Sequence, residues 1–131
     1  MPDIDFFYDA GLIDEGRFIG GLAPADLRNR LRPIIAQRLD CLDDDGNTIV
    51  HQPHQIVFTS FAALPDTGEK LVVARIYGYD WPDRMRNIDK RMGAIGKHIR
   101  KRLRLPENTV DVGFVKINRR SADEAPGWVN V

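Results

Sequence analysis

Segments with the hydrophobic spacing of helices and segments with that of β-strands follow one another in a definite order. This order restricts the fold of the chain more than any other feature of its sequence. Apolar residues recur at helical spacing after Pro24 and again after Pro82, and a proline suits the first turn of a helix. Four further segments have the composition and alternation of β-strands, at 3–8, 55–63, 70–78 and 110–117. The order strand–helix–strand, tight turn, strand–helix–strand predicts two βαβ units. We expect an α+β fold in which one four-stranded sheet carries both helices on one face and leaves the other face uncovered.

Length and charge indicate one soluble domain covering residues 1–131. A chain of 131 residues is long enough to bury a core, and no low-complexity segment or linker divides it. Its 19 lysines and arginines equal its 19 aspartates and glutamates, so no net charge steers the whole molecule to nucleic acid or to a membrane. A single cysteine, Cys41, excludes an internal disulfide, and no apolar run is long enough to span a bilayer. We therefore expect a cytoplasmic protein.

Pro2 follows the initiator methionine and leads directly into the first predicted strand. Its ordinary interpretation is structural, because a residue that begins a strand loses little by lacking an N–H group. The second interpretation requires removal of Met1, which leaves Pro2 with a free secondary amine at the end of an ordered strand. An α-amino group titrates near about 8, and apolar surroundings or neighbouring cations lower that pKa. Such an amine can act as a general base near neutral pH on a carbon-bound proton beside a carbonyl group.

The two ends of the chain together resemble the tautomerase superfamily, most closely its macrophage migration inhibitory factor branch. The residues that carry this resemblance are Pro2 at the start of a βαββαβ order, Arg102-Leu103-Arg104-Leu105, the alternating Val110, Val112 and Phe114, and the tail Gly127-Trp128 with Asn130. The resemblance implies a homotrimer in which three sheets form a barrel with the helices outside. It also implies a site at each subunit boundary, with the proline amine as general acid or base on a small 2-oxo acid.

The resemblance assigns pocket positions as well, and several hold unexpected residues. The basic residue before the family's second strand falls near His51, the aliphatic residue before its glycine falls on Tyr77, and the residue after that glycine falls on Tyr79. The tyrosine and the asparagine that a neighbouring subunit supplies fall on Asp111 and Gly113. These departures predict a best substrate different from the family's aromatic pyruvates.

Arg75 is a substrate-binding candidate that the residues themselves suggest. It interrupts the apolar segment from Leu71 to Tyr77, and strand alternation places it on the same face as Val73 and Tyr77. A charge there is costly unless it is paired or faces a ligand. We expect either a cation that holds a substrate carboxylate near Pro2, or a salt bridge to Asp5 or Asp111.

The remaining cations are predicted to be solvated. Arg84 and Arg86, at the start of the second helix, are interpreted as surface residues. The basic run 97–104 has enough cations to contact phosphates, but a solvated helix face balanced by acidic loops is the favoured interpretation. Nucleic acid and membranes are therefore not expected as partners.

No cofactor and no metal are expected. Cys41, His51 and His54 form too small a ligand set for a metal site, and no glycine-rich phosphate loop is present. Besides a tautomerase, or a related isomerase, decarboxylase or hydratase, two other functions remain open. One is a non-catalytic interaction protein with the same fold, and the other is a ferredoxin-like binding module whose basic helix contacts nucleic acid.

Overall fold

A computed structural model of the chain describes residues 2–65 and 69–117. Met1 and the tail residues Gly127, Trp128 and Asn130 lie outside the described residues. In chain order the elements are β1 (Asp3–Tyr8), β2 (Ile13–Asp14), β3 (Arg17–Phe18), α1 (Pro24–Leu39), β4 (Cys41–Leu42), β5 (Thr48–Ile49), β6 (Val57–Phe61), β7 (Val72–Tyr79), α2 (Pro82–Met85), α3 (Ile88–Leu103) and β8 (Val110–Ile117).

The main sheet confirms the predicted architecture. Its strand order is β6-β1-β7-β8, in which β1 runs parallel to β6 and β7 runs parallel to β8. The two parallel pairs meet along the antiparallel contact between β1 and β7, where Asp5 lies opposite Arg75. Each parallel pair needs a crossover, which α1 supplies for the first pair and α3 for the second. The chain is therefore two βαβ units joined edge to edge in one sheet.

Both long helices cover the same face of the sheet and enclose the core. Ile4, Ile76, Leu31 and Ile95 are each at most 1 % exposed and belong to one continuous apolar cluster. Gly96 permits the close approach of α3, because a Cβ atom there would lie 3.3 Å from Cγ2 of Val112 on β8. The packing of α1 and α3 on the sheet holds β1 in place, and Pro2 directly precedes β1.

Two predicted segments differ in detail from the structure. The strand predicted for 55–63 is shorter, because Pro53–Gln55 forms a 3₁₀ turn and only Val57–Phe61 pairs with β1. The second helix is broken: α2 ends at Met85, and α3 begins at Ile88 after Asn87 adopts the non-helical angles φ −133° and ψ 35°. Arg84 therefore belongs to α2, a separate short helix, and its side chain is buried.

The opposite face of the sheet, which we call the open face, carries a mixed set of side chains. Arg75 lies 5.4 Å above the ring centre of Phe7, which stacks on Phe61 at 4.8 Å between centroids. Arg75 forms no ion pair with any described residue, so the predicted salt bridge is replaced by this cation–π contact. Exposed apolar side chains on this face include Val57 and Val115.

None of the helices within the described residues is long and apolar enough to cross a membrane.

Candidate active site

Pro2 lies buried at the start of β1, as the sequence suggested. Its carbonyl oxygen accepts a hydrogen bond of 3.2 Å from the backbone N–H of Val57, so the residue is tied to β6 before β1 begins. This contact helps to keep the ring nitrogen of Pro2 in one place. That placement is the first requirement for a catalytic group.

A small cavity of about 160 Å³ opens beside Pro2 at this end of the sheet. Most of its wall is apolar or aromatic. The lining residues are Pro2, Ile49, His51, Gly78, Tyr79, Trp81, Arg84 and Ile117. They come from the β4–β5 excursion, the end of β7, the start of α2 and the end of β8. The cavity is therefore assembled from the crossover ends of both βαβ units.

Arg84 is the most unusual residue of this cavity, because its side chain is only 1 % exposed. Its Nε and Nη2 atoms donate to the carbonyl oxygen of Leu39 at 3.0 and 2.8 Å, and its Nη1 atom donates to the carbonyl oxygen of Tyr79 at 2.9 Å. Leu39 is the last residue of α1, whose C-terminal carbonyl groups carry partial negative charge. These contacts hold the guanidinium in one orientation against Gly78 and the cavity.

Glycine at position 78 makes room for this arginine. A Cβ atom there would lie 3.3 Å from Nη1 of Arg84 and 3.2 Å from the ring of Phe114. Either contact is tighter than carbon atoms ordinarily tolerate in a packed interior. The absence of a side chain at Gly78 therefore allows Arg84 of α2 to pack against the end of β7.

The charge of Arg84 is compensated by dipoles, and no described carboxylate lies within ion-pair distance of it. Burial is the main reason that the pKa of Arg84 is lowered, although the group remains a cation at neutral pH. A buried cation without a carboxylate partner makes the adjoining cavity attractive to an anion.

His51 lies next to Arg84 and is held neutral. Its Nε2 atom is 3.3 Å from Nη2 of Arg84. Arginine can only donate, so Nε2 must accept and the ring proton resides on Nδ1. Burial first, and then the charge of Arg84, lower the pKa of His51. His51 thus presents a neutral N–H donor, and it cannot use Nε2 as a base while this contact exists.

Cys41 lies near the same arginine. Burial raises the pKa of its thiol, whereas the charge of Arg84 acts in the opposite direction. The thiol therefore stays protonated at neutral pH and serves as a small buried side chain. The described residues contain no cluster of three or more metal-ligating side chains.

The structure distributes the predicted site residues over two places. Pro2, His51 and Tyr79 line the cavity. Arg75, Tyr77 and Asp111 do not line it within a single chain. Tyr77 faces the open side together with Asp5 and Arg75, where partial desolvation and a hydrogen bond with Asp5 raise the pKa of its phenol. Asp111 is exposed on β8, which forms one edge of the sheet.

The prediction that Arg84 is a solvated surface residue is wrong. Arg84 stands four residues before Ile88, but the helix is interrupted between them, so the apolar stripe of Ile88, Met92 and Ile95 does not by itself explain the burial of Arg84. Its neighbour Arg86, whose side chain is 75 % exposed, fulfils the surface prediction.

Comparison with solved structures identifies the fold. A fused 4-OT described as a wild-type asymmetric trimer superposes with a TM-score of 0.60 at 12 % identity, covering 90 % of this chain and 88 % of that one. A native fused 4-OT gives 0.58 at 15 % identity, covering 88 % and 87 %. A macrophage migration inhibitory factor-like protein from Entamoeba histolytica gives 0.55 at 9 % identity, covering 89 % of each chain.

The chain has a tautomerase-like fold. No protein-family model matches the sequence, and no curated protein matches it either. At these identities the likeness to solved structures concerns the fold alone. The tautomerase-like fold nevertheless agrees with the architecture predicted from the two βαβ units.

Proposed function

We propose that this protein is a tautomerase or related isomerase, and that the secondary amine of Pro2, freed by removal of Met1, is its general acid and base. One observation carries the proposal: Pro2 shares a small, largely apolar cavity with Arg84, a buried cation that has no described carboxylate partner. A base and an anion-attracting group in one water-poor cavity are what proton transfer beside a carboxylate requires.

The surroundings favour a neutral amine at physiological pH. The apolar lining disfavours the charged form of Pro2, and the nearby guanidinium of Arg84 adds a like-charge effect in the same direction. Both effects lower the amine pKa from its usual value of about 8. A substantial fraction of the amine is then unprotonated near pH 7 and ready to accept a proton.

The cavity fits a small monocarboxylate that carries an adjacent carbonyl group. Cavities of about 150 Å³ accept a molecule the size of benzene, and this one measures about 160 Å³. Its single cation, Arg84, suits one carboxylate. The Nδ1–H group of His51 suits a carbonyl or enolate oxygen. In the keto-to-enol direction the neutral amine of Pro2 takes a proton from the carbon beside the carbonyl, and the ammonium so formed returns that proton to the enolate oxygen.

Self-association is part of the proposal. The open face exposes Val57, Val115 and the half-buried Arg75–Phe7 pair, and a homotrimer with the helices outside would cover it. In that assembly Arg75, Tyr77 and the neighbour's Asp111 are the residues we propose to complete the substrate-binding surface around Pro2.

The experiment compares the mature protein with one that keeps a blocking residue ahead of Pro2. Intact-mass spectrometry first shows whether Met1 is removed. Ketonisation of the enol forms of small aliphatic 2-oxo acids is then followed by ultraviolet absorbance. We expect the blocked protein, whose Pro2 nitrogen is an amide, to lose about 10²–10⁴-fold in kcat/KM. The Pro2→Ala variant keeps a primary amine and should lose less.

Equal turnover by the mature and blocked proteins would exclude the amine as the base. Retention of Met1 in the native protein, or no turnover of any 2-oxo acid by the mature form, would favour a non-catalytic interaction protein with this fold.

A further inference from the structure

The two long helices carry a charge that the rest of the molecule does not share. α1 contains four arginines against one aspartate, and α3 contains six lysines and arginines against one aspartate. The whole chain has a net charge of zero, so the eight excess positive charges of these helices are balanced by an equal acidic excess elsewhere. The helical layer formed by α1 and α3 is therefore strongly positive, whereas the remaining residues together are acidic by the same amount.

Within residues 2–65 and 69–117, no ion pair joins a cation of this layer to a carboxylate of an acidic loop. The sequence predicted a helix face balanced by such loops, but the one ion pair within the described residues joins Arg86 to Asp83, outside α1 and α3. Arg91 of α3 joins the two helices, because its Nη1 atom donates hydrogen bonds to the carbonyl oxygens of Arg38 and Asp40 at the end of α1. Most other cations of the layer remain directed to solvent.

Three exposed lysines of α3 form a regular row on its outer side. Lys90, Lys97 and Lys101 are separated by seven and four residues, which places them on one face of a helix over about 16 Å. The exposed Arg104, which ends the helix, extends the row. We call these four residues the cationic stripe. On α1, Arg30 and Arg38 are exposed as well.

The side chains of this surface indicate which anionic partner it suits best: a membrane, an acidic protein or a nucleic acid. Within the described residues no large apolar side chain of α1 or α3 is among those exposed, so the surface has no group to insert into a bilayer. It also lacks the exposed aromatic or methionine anchors that dominate protein–protein interfaces. A row of cations without apolar anchors suits a regular array of phosphates, and duplex nucleic acid presents one negative charge per about 1.7 Å.

We propose that the cationic stripe, with the exposed arginines of α1, binds the phosphate backbone of duplex nucleic acid without reading its sequence. The acidic remainder of the molecule is repelled by the same polyanion, so the protein docks through its helical layer. The inference is independent of any catalytic role of Pro2.

Fluorescence anisotropy with two unrelated 24-base-pair DNA duplexes tests the proposal. We expect a Kd in the micromolar range at about 50 mM salt, equal within about twofold for both duplexes. Engagement of six phosphates, by the cationic stripe and by Arg30 and Arg38, gives a slope of about −5.4 in the plot of log K against log salt concentration. The triple variant Lys90→Gln/Lys97→Gln/Lys101→Gln should bind at least tenfold more weakly, with a slope lower in magnitude by about 2.7.

Two matched variants complete the design. Lys90→Arg/Lys97→Arg/Lys101→Arg keeps the charge and should bind as the wild type does. Lys116→Gln removes one exposed cation of β8 and should leave the affinity unchanged. Circular dichroism checks that the glutamine variant is folded. Absence of binding at low salt, equal binding by the glutamine triple variant, or preferential binding to vesicles of phosphatidylserine and phosphatidylcholine would overturn the proposal.

Discussion

The Pro2 cavity and the open face of the sheet each hold an arginine among largely apolar neighbours, but they hold it by different means. Arg84 is almost fully buried and is fixed by backbone carbonyl oxygens at the end of α1 and of β7. Arg75 is half-buried and is positioned by side chains, the ring of Phe7 and the Asp5–Tyr77 pair.

This difference indicates how far each site is formed in the single chain. Backbone carbonyl groups are fixed by the fold, so Arg84 is preorganised before any ligand arrives. Side-chain neighbours at a half-exposed face can rearrange, so the position of Arg75 depends on what covers that face. The cavity is therefore the part of the site that a single chain completes, whereas the open face is the part that the proposed trimer would complete.

Among the substitutions that compare the two regions, replacement of Arg84 should lower the free energy of unfolding most. Arg84→Met leaves the carbonyl oxygens of Leu39 and Tyr79 without their donors, and each buried unsatisfied group costs about 1–3 kcal/mol. We expect the free energy of unfolding in urea to fall by about 3 kcal/mol. Arg75→Met should cost about 1 kcal/mol or less, because it loses chiefly a half-exposed cation–π contact.

Arg86→Met is the matched control, because it changes an exposed arginine two residues from Arg84 and should alter stability by less than about 0.5 kcal/mol. If Arg75→Met proved as costly as Arg84→Met, the contrast between the two regions would be lost.

A pair of glycines on neighbouring strands gives a smaller and sharper test. Gly78→Ala places a methyl group 3.3 Å from Arg84 and 3.2 Å from Phe114, and overpacking of this kind costs about 1–3 kcal/mol. Gly113 lies on the adjacent strand, and a Cβ atom added there would have no described atom beyond its chain neighbours within 4 Å. Gly113→Ala should therefore be neutral or slightly stabilising.

Thermal unfolding measures both glycine variants. We also expect Gly78→Ala to raise KM for the 2-oxo acid, because the displaced guanidinium borders the cavity. Equal melting temperatures for the two variants would mean that Arg84 is not held as tightly as its contacts indicate.

The smallest expected effects are those of pH on stability. The cavity should respond at acidic pH, through His51, and the open face at alkaline pH, through Tyr77. The pKa of His51 is lowered from 6.5 in the folded state, so below pH 6.5 the unfolded chain binds more protons and stability falls until the folded pKa is passed. The pKa of Tyr77 is raised from 10.0, so the stability it contributes is present below pH 10 and is lost as pH rises through its folded pKa.

Urea unfolding between pH 5 and 11 follows both responses. His51→Gln should flatten the acid side alone, and Tyr77→Phe the alkaline side alone. His98→Gln is needed as a companion, because burial and the nearby Arg102 also lower the pKa of His98. A His51→Gln profile that matched the wild type on the acid side would exclude the neutral, arginine-bound histidine.

Much of the fold was predictable because it depends on local periodicity. β1 and β8 have the predicted bounds, and the sequence also indicated two helices on one face of a four-stranded sheet. The break between α2 and α3 was missed, because Met85, Ile88 and Met92 maintain helical spacing across it. Periodicity reports which residues are buried, and it does not reveal where a helix is interrupted.

The candidate site was less predictable for the same reason. Pro2 and His51 were named from the sequence and line the cavity, whereas Arg84 was assigned to the surface. Its burial depends on two non-local features, the carbonyl of Leu39 on α1 and the space beside Gly78 on β7. Neither feature is visible in the residues that flank Arg84.

The amine of Pro2 beside the buried cation is the central claim, and its pKa is the most direct test. The ¹⁵N resonance of Pro2 in the mature protein, selectively labelled at proline, can be titrated between pH 4 and 11. We predict a midpoint below the ordinary value of about 8, because burial and Arg84 both oppose the charged form. A midpoint at or above about 8, or no titration because Met1 is retained, would contradict the assignment of Pro2 as the base.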